Sequence, residues 1–181
     1  MARLHLATGI IISLTNVIED EKKKIAQRLS ARVSTGIMFV EFEYLYRHDK
    51  PDPAWIRNIY ILLSFYTELL LKAIFVVKEN FSNKLEIEEK LRKMGHNLKK
   101  IGQQIGTDNL HQFGIQEISL INPDYLVITS DGNFRVEDFT DIRYDFIEGK
   151  VRNIPSDEHE MFRRQIKILG KINGILKPLI Y

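Results

Sequence analysis

The sequence predicts a mainly α-helical domain, built as an up-and-down helical bundle, and three observations support this class. The chain has 181 residues, 44% of them hydrophobic, so it can bury a sizeable core without disulfides or metals. Its longest segments repeat apolar residues at helical spacing. Its strongest turn signal, "HDKPDP" at residues 48–53, separates a helical N-terminal extension, residues 1–50, from a core at residues 53–177 of the same domain.

Composition and missing motifs exclude several classes of protein. The absence of cysteine rules out a disulfide framework, thiolate zinc sites and a cysteine nucleophile. The chain has no phosphate-binding Gly-Lys loop and no dinucleotide glycine fingerprint, and its five histidines are scattered. We therefore predict neither a cofactor nor a metal. The net charge of +2 gives no general signal for polyanions, so nucleic-acid binding needs a local basic patch.

Two apolar runs raise the question of a membrane. The first, "LATGIIISLTN" near the N-terminus, is short, has one basic flanking residue and lacks a convincing cleavage site, which argues against a signal peptide. The second, Ile59–Val77, is nearly as long as a membrane span but carries Glu68 and Lys72 in its middle, where lipid would penalise both. We therefore predict a buried core helix in a cytoplasmic protein with no membrane partner.

Two amphipathic helices are predicted before the turn. The first covers about residues 16–31 and has Asn16 as its N-cap. Its apolar side consists of Val17, Ile25 and Leu29. The second lies in "STGIMFVEFEYLYR", residues 34–47, and its apolar residues are spaced for one helical face. These residues are Met38, Phe39, Phe42 and Leu45.

The segments after the turn predict a series of helices and one hairpin. A long helix is predicted for residues 53–79, with apolar residues on most sides. A short helix capped by Asn83 ends at Gly95, and one or two further helical turns follow. Residues 107–124 look irregular. Alternating runs around a Ser-Asp-Gly-Asn turn predict a β-hairpin at residues 125–139, which we interpret as an insertion.

The last predicted helix is capped by Ser156, runs to about Leu176 and is ended by Pro178. Its apolar residues form two neighbouring rows: Phe162, Ile166 and Leu169 in one, and Ile168, Ile172 and Ile175 in the other. Another side carries a basic stripe made of Arg164, Lys167 and Lys171. This stripe is the kind of local patch that a polyanion requires.

Glu68, Lys72 and His96 are candidates for a chemical role, each with a structural alternative. Glu68 and Lys72 are spaced i, i+4 on an otherwise apolar helix, so they form either an ion pair or part of a pocket wall. His96 lies between Gly95, which suits a left-handed helix end, and Asn97, which suits a helix cap. It therefore either shapes a helix-to-helix corner or serves as a ligand or proton-transfer group.

Two further candidate sets contain arginine. Arg143 stands beside Tyr144 and forms either a surface pair or a planar donor set for phosphate and base contacts. Arg152 and His159, with six residues between them, could bring a phosphate-binding cation near a proton-transfer group, as RNA cleavage requires. Pro155 interrupts this segment, and a chance pairing is the alternative.

The order of these motifs resembles the HEPN family of helical bundles, named for nucleotide binding in higher eukaryotes and prokaryotes. A long helix contains "ELLLKAIF", a short helix ends in "GHNLKKI", "IRY" follows, and an amphipathic helix comes last. The resemblance covers about residues 55–177. It implies a bundle of four or five helices that commonly forms homodimers and acts on RNA or nucleotides.

The resemblance implies two kinds of activity. Nuclease members are metal-independent ribonucleases of toxin-antitoxin and antiviral defence systems, and in their dimer cleft lie an Arg and a His with four to six residues between them. Arg152 and His159 have this spacing, whereas Arg143 matches the "RY" form but has no histidine in the seven residues after it. Other members are noncatalytic modules that partner a nucleotidyltransferase or another protein such as an antitoxin. A helical protein unrelated to the family is the third alternative.

Overall fold

The computed structural model describes residues 2–47, 53–121, 125–129, 132–136 and 158–181. These ranges are mainly helical, which confirms the prediction of a mainly α-helical protein. The helices are α1 (Ala2–Arg47), α2 (Pro53–Lys78), α3 (Lys84–Lys93), α4 (Leu98–Ile105), α5 (Thr107–Gln112), α6 (Ile118–Ile121) and α7 (Glu158–Ile180). The strands are β1 (Tyr125–Thr129) and β2 (Gly132–Val136).

The N-terminal segment is one helix, so the prediction of two separate helices is wrong. Helix α1 has 46 residues, which corresponds to a length of about 69 Å at 1.5 Å per residue. Asn16 lies inside this helix and is not its cap. The segment contains no proline, and the hydroxyl of Thr35 donates to the carbonyl of Ala31 at 3.1 Å within a regular helix. Nothing local therefore forces a break between the two predicted halves.

The apolar face predicted for α1 is only partly confirmed: Ile25 and Leu29 are half-buried and pack against the core, whereas the other described residues of that face do not. Met38, Phe39 and Phe42 are 69%, 49% and 54% exposed, and Val17 is also exposed. The side chain of Leu45 lies outside the described residues. The buried residues of α1 lie on another side and include Ala26, Ser30, Val33, Ile37 and Val40. Helix α1 has two apolar rows, and contact with α2 and α7 decides which row is buried.

Helix α2 lies at the centre of the core, as predicted, and packs against α1, α4 and α7. Its fully buried apolar residues lie on several sides: Leu63, Leu70, Leu71, Ala73, Ile74 and Val76. Within α2, the segment Asn58–Lys78 is long and apolar enough to cross a membrane, with a mean hydropathy of 1.8. Its most apolar stretch is 72% buried inside the protein. Because a core helix meets the same criteria, this is weak support for a membrane span.

The corner between α3 and α4 has the predicted caps. The side chain of Asn83 accepts from the backbone N–H of Glu86 at 3.0 Å and begins α3. Gly95 follows the end of α3 with a φ of 68°, in the left-handed region that glycine tolerates best. The side chain of Asn97 then accepts from the N–H of Lys100 at 3.0 Å and begins α4. Local features therefore set both ends of α3 and the start of α4.

Residues 107–121 contain two short helices, so the prediction of an irregular segment is wrong here. Leu110 of α5 and Ile121 of α6 are buried. Ile118 of α6 packs against Gly102 of α4, where the lack of a side chain leaves room for it. Helices this short are marginal by themselves, and burial against the bundle stabilises them. The spacing of apolar residues does not show this stabilisation by the bundle, so it did not predict these helices.

Strands β1 and β2 form a two-stranded antiparallel ladder. Its register runs from Tyr125 opposite Val136 to Thr129 opposite Gly132. Both strands lie within the range predicted for the hairpin, residues 125–139. The interpretation of this hairpin as an insertion in a HEPN-like core stays a prediction.

Helix α7 ends two residues after Pro178, so the prediction that Pro178 ends it is wrong. Leu176 and Ile180 are buried, and the backbone N–H of Tyr181 donates to the carbonyl of Lys177 at 3.0 Å. Burial on both sides of the proline therefore holds the last turn in helical form. The predicted cap Ser156 lies outside the described residues.

One of the two predicted apolar rows of α7 faces the core. Phe162, Ile166 and Leu169 are buried, as predicted. The second row is partly wrong, because Ile172 is buried, Ile168 is half-buried and Ile175 is 38% exposed. The buried side of α7 also contains two polar residues, Gln165 and Asn173. Asn173 has hydrogen-bonding partners on α1, Ser30 and Ser34, which make a polar residue acceptable at its position.

Candidate functional site

A buried carboxylate in the middle of α2 is the centre of the candidate site. Glu68 is 3% exposed, and its two oxygens contact different partners. Oε1 accepts from Nζ of Lys72 at 2.6 Å, which confirms the predicted i, i+4 ion pair. Oε2 lies 3.0 Å from Nδ1 of His96. A buried carboxylate needs both a counter-charge and hydrogen-bond donors, and these two residues supply them.

The contact with Glu68 determines the role of one imidazole nitrogen. A carboxylate can only accept hydrogen bonds, so in this contact Nδ1 of His96 is the donor. The side chain of His96 is 57% exposed, whereas that of Lys72 is 12% exposed. The arrangement therefore presents an oriented imidazole at the surface, held by a carboxylate inside the protein.

The chain brings His96 to Glu68 through the corner between α3 and α4. Gly95 reverses the chain direction, and Asn97 begins α4 immediately after the histidine. Leu98 and Ile101 of α4 are buried in the core cluster, and α4 packs against α2. The predicted role of Gly95, His96 and Asn97 as a corner is confirmed. The corner also orients the side chain of His96. A role in shaping the corner is therefore compatible with a role as a ligand or proton-transfer group.

The contact between Glu68 and His96 was not predicted, because the two residues are 28 positions apart. One sequence signal could have indicated it. A carboxylate on an apolar helix has two oxygens, and Lys72 satisfies only one of them, so a second donor has to come from elsewhere in the fold. A polar residue at a tight corner between short helices is a natural source of that donor.

The surroundings of His96 are rich in positive charge. Residues 90–100 contain five lysines and arginines and no acidic residue. Two of the lysines pair with glutamates of the same helix, Lys90 with Glu86 at 3.0 Å and Lys93 with Glu89 at 2.8 Å. Arg92, Lys99 and Lys100 are also exposed. We call residues 90–100 the basic corner.

The predicted basic stripe on α7 is exposed. Arg164, Lys167 and Lys171 all lie at the surface, on the side of α7 away from the buried Phe162 and Leu169. The described residues thus carry two basic surfaces, this stripe and the basic corner.

The predicted pair Arg152 and His159 stays a prediction. Arg143, Tyr144 and Arg152 lie outside the described residues. The backbone of His159 lies in the first turn of α7, but its side chain is also outside them. Among the described residues, no group of three or more histidine and acidic side chains could hold a metal ion.

This protein is thus a helical bundle whose central helix carries a buried carboxylate that is hydrogen-bonded to an exposed histidine. Comparisons of the chain with protein-family models, with curated proteins and with solved structures found no match.

Proposed function

We propose that the protein is a HEPN-like homodimer that binds RNA and cleaves it without a metal, in a toxin-antitoxin or antiviral defence setting. The observation that carries this proposal is the hydrogen bond between Glu68 and His96. It joins the stretches "ELLLKAIF" and "GHNLKKI", two of the motifs that carry the resemblance. Because the two motifs contact each other, they form one structural unit. Two motifs that matched the family by chance would not be expected to make such a contact.

The two basic surfaces support binding to a polyanion. The net charge of the chain is only +2, so affinity for RNA would depend on local surfaces. The basic corner and the stripe of Arg164, Lys167 and Lys171 are exposed and well suited to phosphate contacts. Binding through such contacts should weaken steeply as the salt concentration rises.

Arg152 and His159 are the proposed catalytic pair. In the cleavage step, a ribose 2′-oxygen loses its proton and attacks the adjacent phosphorus, and the bond from phosphorus to the 5′-oxygen breaks. The 5′-oxygen takes up a proton, and the second product ends in a 2′,3′-cyclic phosphate. Arg152 would stabilise the negative phosphate oxygens, and His159 would either accept the first proton or supply the second. Glu68 and Lys72 would help to shape the cleft.

A cleavage assay tests this assignment. Purified protein is incubated with total RNA in the presence of a chelator, and wild type is compared with His159→Ala and Arg152→Ala. Loss of general acid-base catalysis should reduce the cleavage rate by roughly 10²- to 10⁴-fold. The control is His111→Ala, because His111 is an exposed histidine on α5 outside the proposed pair. Equal cleavage by wild type and His159→Ala, or no cleavage by either, would rule out the assignment.

The second candidate is a noncatalytic module that binds a nucleotide or a partner such as a nucleotidyltransferase or an antitoxin. It is favoured by "IRYDFIEGK", in which Arg143 is followed by no histidine at the nuclease spacing. Calorimetry with nucleotides distinguishes the two candidates, because this module would bind a nucleotide and leave RNA intact. Light scattering of the purified protein tests the homodimer, and a monomer at micromolar concentration would exclude a shared dimer cleft.

A further inference from the structure

Helix α1 has an exposed side that runs along most of its length. Met38 and Phe39 are 69% and 49% exposed, and Val17, about six turns earlier, is 57% exposed. At 3.6 residues per turn, these positions lie about half a turn away from Ala26 and Val33, which are buried against the bundle. Several large apolar side chains on one exposed face mark an interaction surface. We call this side the outer face of α1; its exposed residues are Val17, Asp20, Arg28, Arg32, Thr35, Met38, Phe39 and Phe42.

The middle of the outer face is charged, and the sign of the charge changes along the helix. Asp20 is exposed towards the N-terminal end, whereas Arg28 and Arg32 are exposed towards the C-terminal end. A lipid surface would have to accept these charges between two apolar ends. A second helix with the reverse order of charges would instead complement them. The pattern therefore favours a helical partner over a membrane.

The outer face is complementary to itself when two copies of α1 run antiparallel. Asp20 lies six residues before Ala26, and Arg32 lies six residues after it. In an antiparallel pair centred on Ala26, Asp20 of each copy therefore lies opposite Arg32 of the other copy. Val17 and Thr35 are related in the same way, nine residues on either side of the centre. A second copy of this chain thus supplies the partner that the charges require.

The apolar end of the outer face has an apolar counterpart in the same arrangement. Met38 lies twelve residues after the centre, and the residue twelve positions before the centre is Leu14. A parallel pair would instead put Asp20 beside Asp20 and Arg32 beside Arg32, and repulsion between like charges disfavours that orientation. The order of residues therefore selects the antiparallel pair.

Two further features of α1 are compatible with this pairing. The outer face is opposite the packed face, so the two bundles would lie on opposite sides of the helix pair and would not collide. Lys24 and Arg28 are like charges that lie two residues on either side of the centre. Glu21, which contacts Lys24 at 3.1 Å in the same helix, reduces the repulsion between them.

We propose that the outer face of α1 is a self-association surface, through which two copies of this chain pair as antiparallel helices centred on Ala26. This inference rests on the homodimer of the proposed function and names its interface. It is independent of the RNA cleavage assigned to Arg152 and His159. The interface also lies outside residues 55–177, which carry the family resemblance, so it depends on α1 alone.

A charge-reversal experiment tests the opposition of Asp20 and Arg32. Sedimentation equilibrium of the full chain gives the dissociation constant of the dimer. Asp20→Arg and Arg32→Asp should each weaken the dimer about 10- to 100-fold, because each change creates two like-charge contacts. An equimolar mixture of the two variants should dimerise about as well as wild type, since opposite charges then meet at both places. The matched control is Arg92→Asp, which reverses an exposed arginine of α3 and should not change the dissociation constant.

The orientation of the pair can be tested separately, because the chain contains no cysteine. Val17→Cys and Thr35→Cys are treated with a short bis-maleimide, each alone and as a mixture. The mixture should give a cross-linked dimer, and each variant alone should stay uncross-linked. A cross-linked dimer of Val17→Cys alone would reveal a parallel pair and would overturn the inference.

The outcomes separate this inference from the proposed function. A wild-type dimer that neither charge reversal weakens would overturn the inference and leave the proposed function in place. A wild type that stays monomeric would overturn the inference and the proposed homodimer together. A dimeric wild type that obeys the charge-reversal and cross-linking predictions but leaves RNA intact would support the inference and overturn the proposed nuclease.

Discussion

Gly36 of α1 lies directly against the ring of Tyr66 on α2, so closely that a β-carbon at position 36 would overlap the ring carbons. Gly36→Ala should therefore lower the free energy of unfolding by about 1–3 kcal/mol, because the half-buried ring has to move. Urea unfolding followed by circular dichroism measures this change. Burial raises the pKa of Tyr66, and displacement of the ring towards solvent should bring that pKa back towards its ordinary value.

The control for this substitution is Gly170→Ala in α7. A β-carbon at position 170 would meet no atom within 4 Å, and alanine has the higher helix propensity. This variant should gain roughly 0.5–1 kcal/mol of stability. Equal effects of the two substitutions would show that Tyr66 does not restrict position 36.

Asn173 of α7 and Ser30 of α1, which form a buried hydrogen bond, should be energetically coupled to each other. Oδ1 of Asn173 accepts from the hydroxyl of Ser30 at 2.7 Å, and its Nδ2 donates to the hydroxyl of Ser34 at 2.8 Å. Asn173→Leu should cost about 1–3 kcal/mol, because the fully buried hydroxyl of Ser30 loses its acceptor. Adding Ser30→Ala should recover part of that cost in a double-mutant cycle. Strictly additive effects would contradict this prediction.

Loss of the counter-ion of Glu68 should be more costly than loss of a surface ion pair. Lys72→Met leaves a carboxylate that is 3% exposed without its ammonium partner, which should cost about 3–5 kcal/mol. The lower end is expected, because His96 still donates to Glu68. The matched control is Lys93→Met, which removes a pair of the same i, i+4 spacing with both side chains exposed. Thermal and urea unfolding should detect no change in the control.

The pH dependence of stability should contain a contribution from Glu86 at the start of α3. The backbone N–H of Ser82 donates to its carboxylate at 2.7 Å, and this contact, followed by Lys90, lowers the pKa of Glu86. Because the pKa is lower in the folded state, the contribution is present above the ordinary value of 4.5 and is lost as the pH falls through the folded value.

Glu86→Gln should therefore lower the Tm at neutral pH and lose this difference from wild type in acid. Melting curves recorded from neutral pH to below pH 4 would measure it, with Glu88→Gln as a control on the same helix. Parallel Tm curves for wild type and Glu86→Gln across this range would refute the prediction.

Features that depend on contacts between neighbouring residues could be predicted from the sequence. The caps at Asn83 and Asn97 and the left-handed turn at Gly95 involve groups within a few positions of each other, so their residue types indicate them directly. The long central helix and the pair of Glu68 and Lys72 were predictable for the same reason, since helical spacing sets both.

Which helix surfaces pack together depends on the tertiary fold and could not be predicted from the sequence. The row of α1 containing Met38 and Phe42 is as apolar as the row containing Val33 and Val40, and packing against α2 and α7 buried the second. The contact between Glu68 and His96 likewise depends on how α4 docks on α2. A periodic pattern shows that a helix has an apolar side, but the choice among sides and partners is a free-energy competition between distant segments. The residues of the candidate site could therefore be named from the sequence, whereas their connection could not.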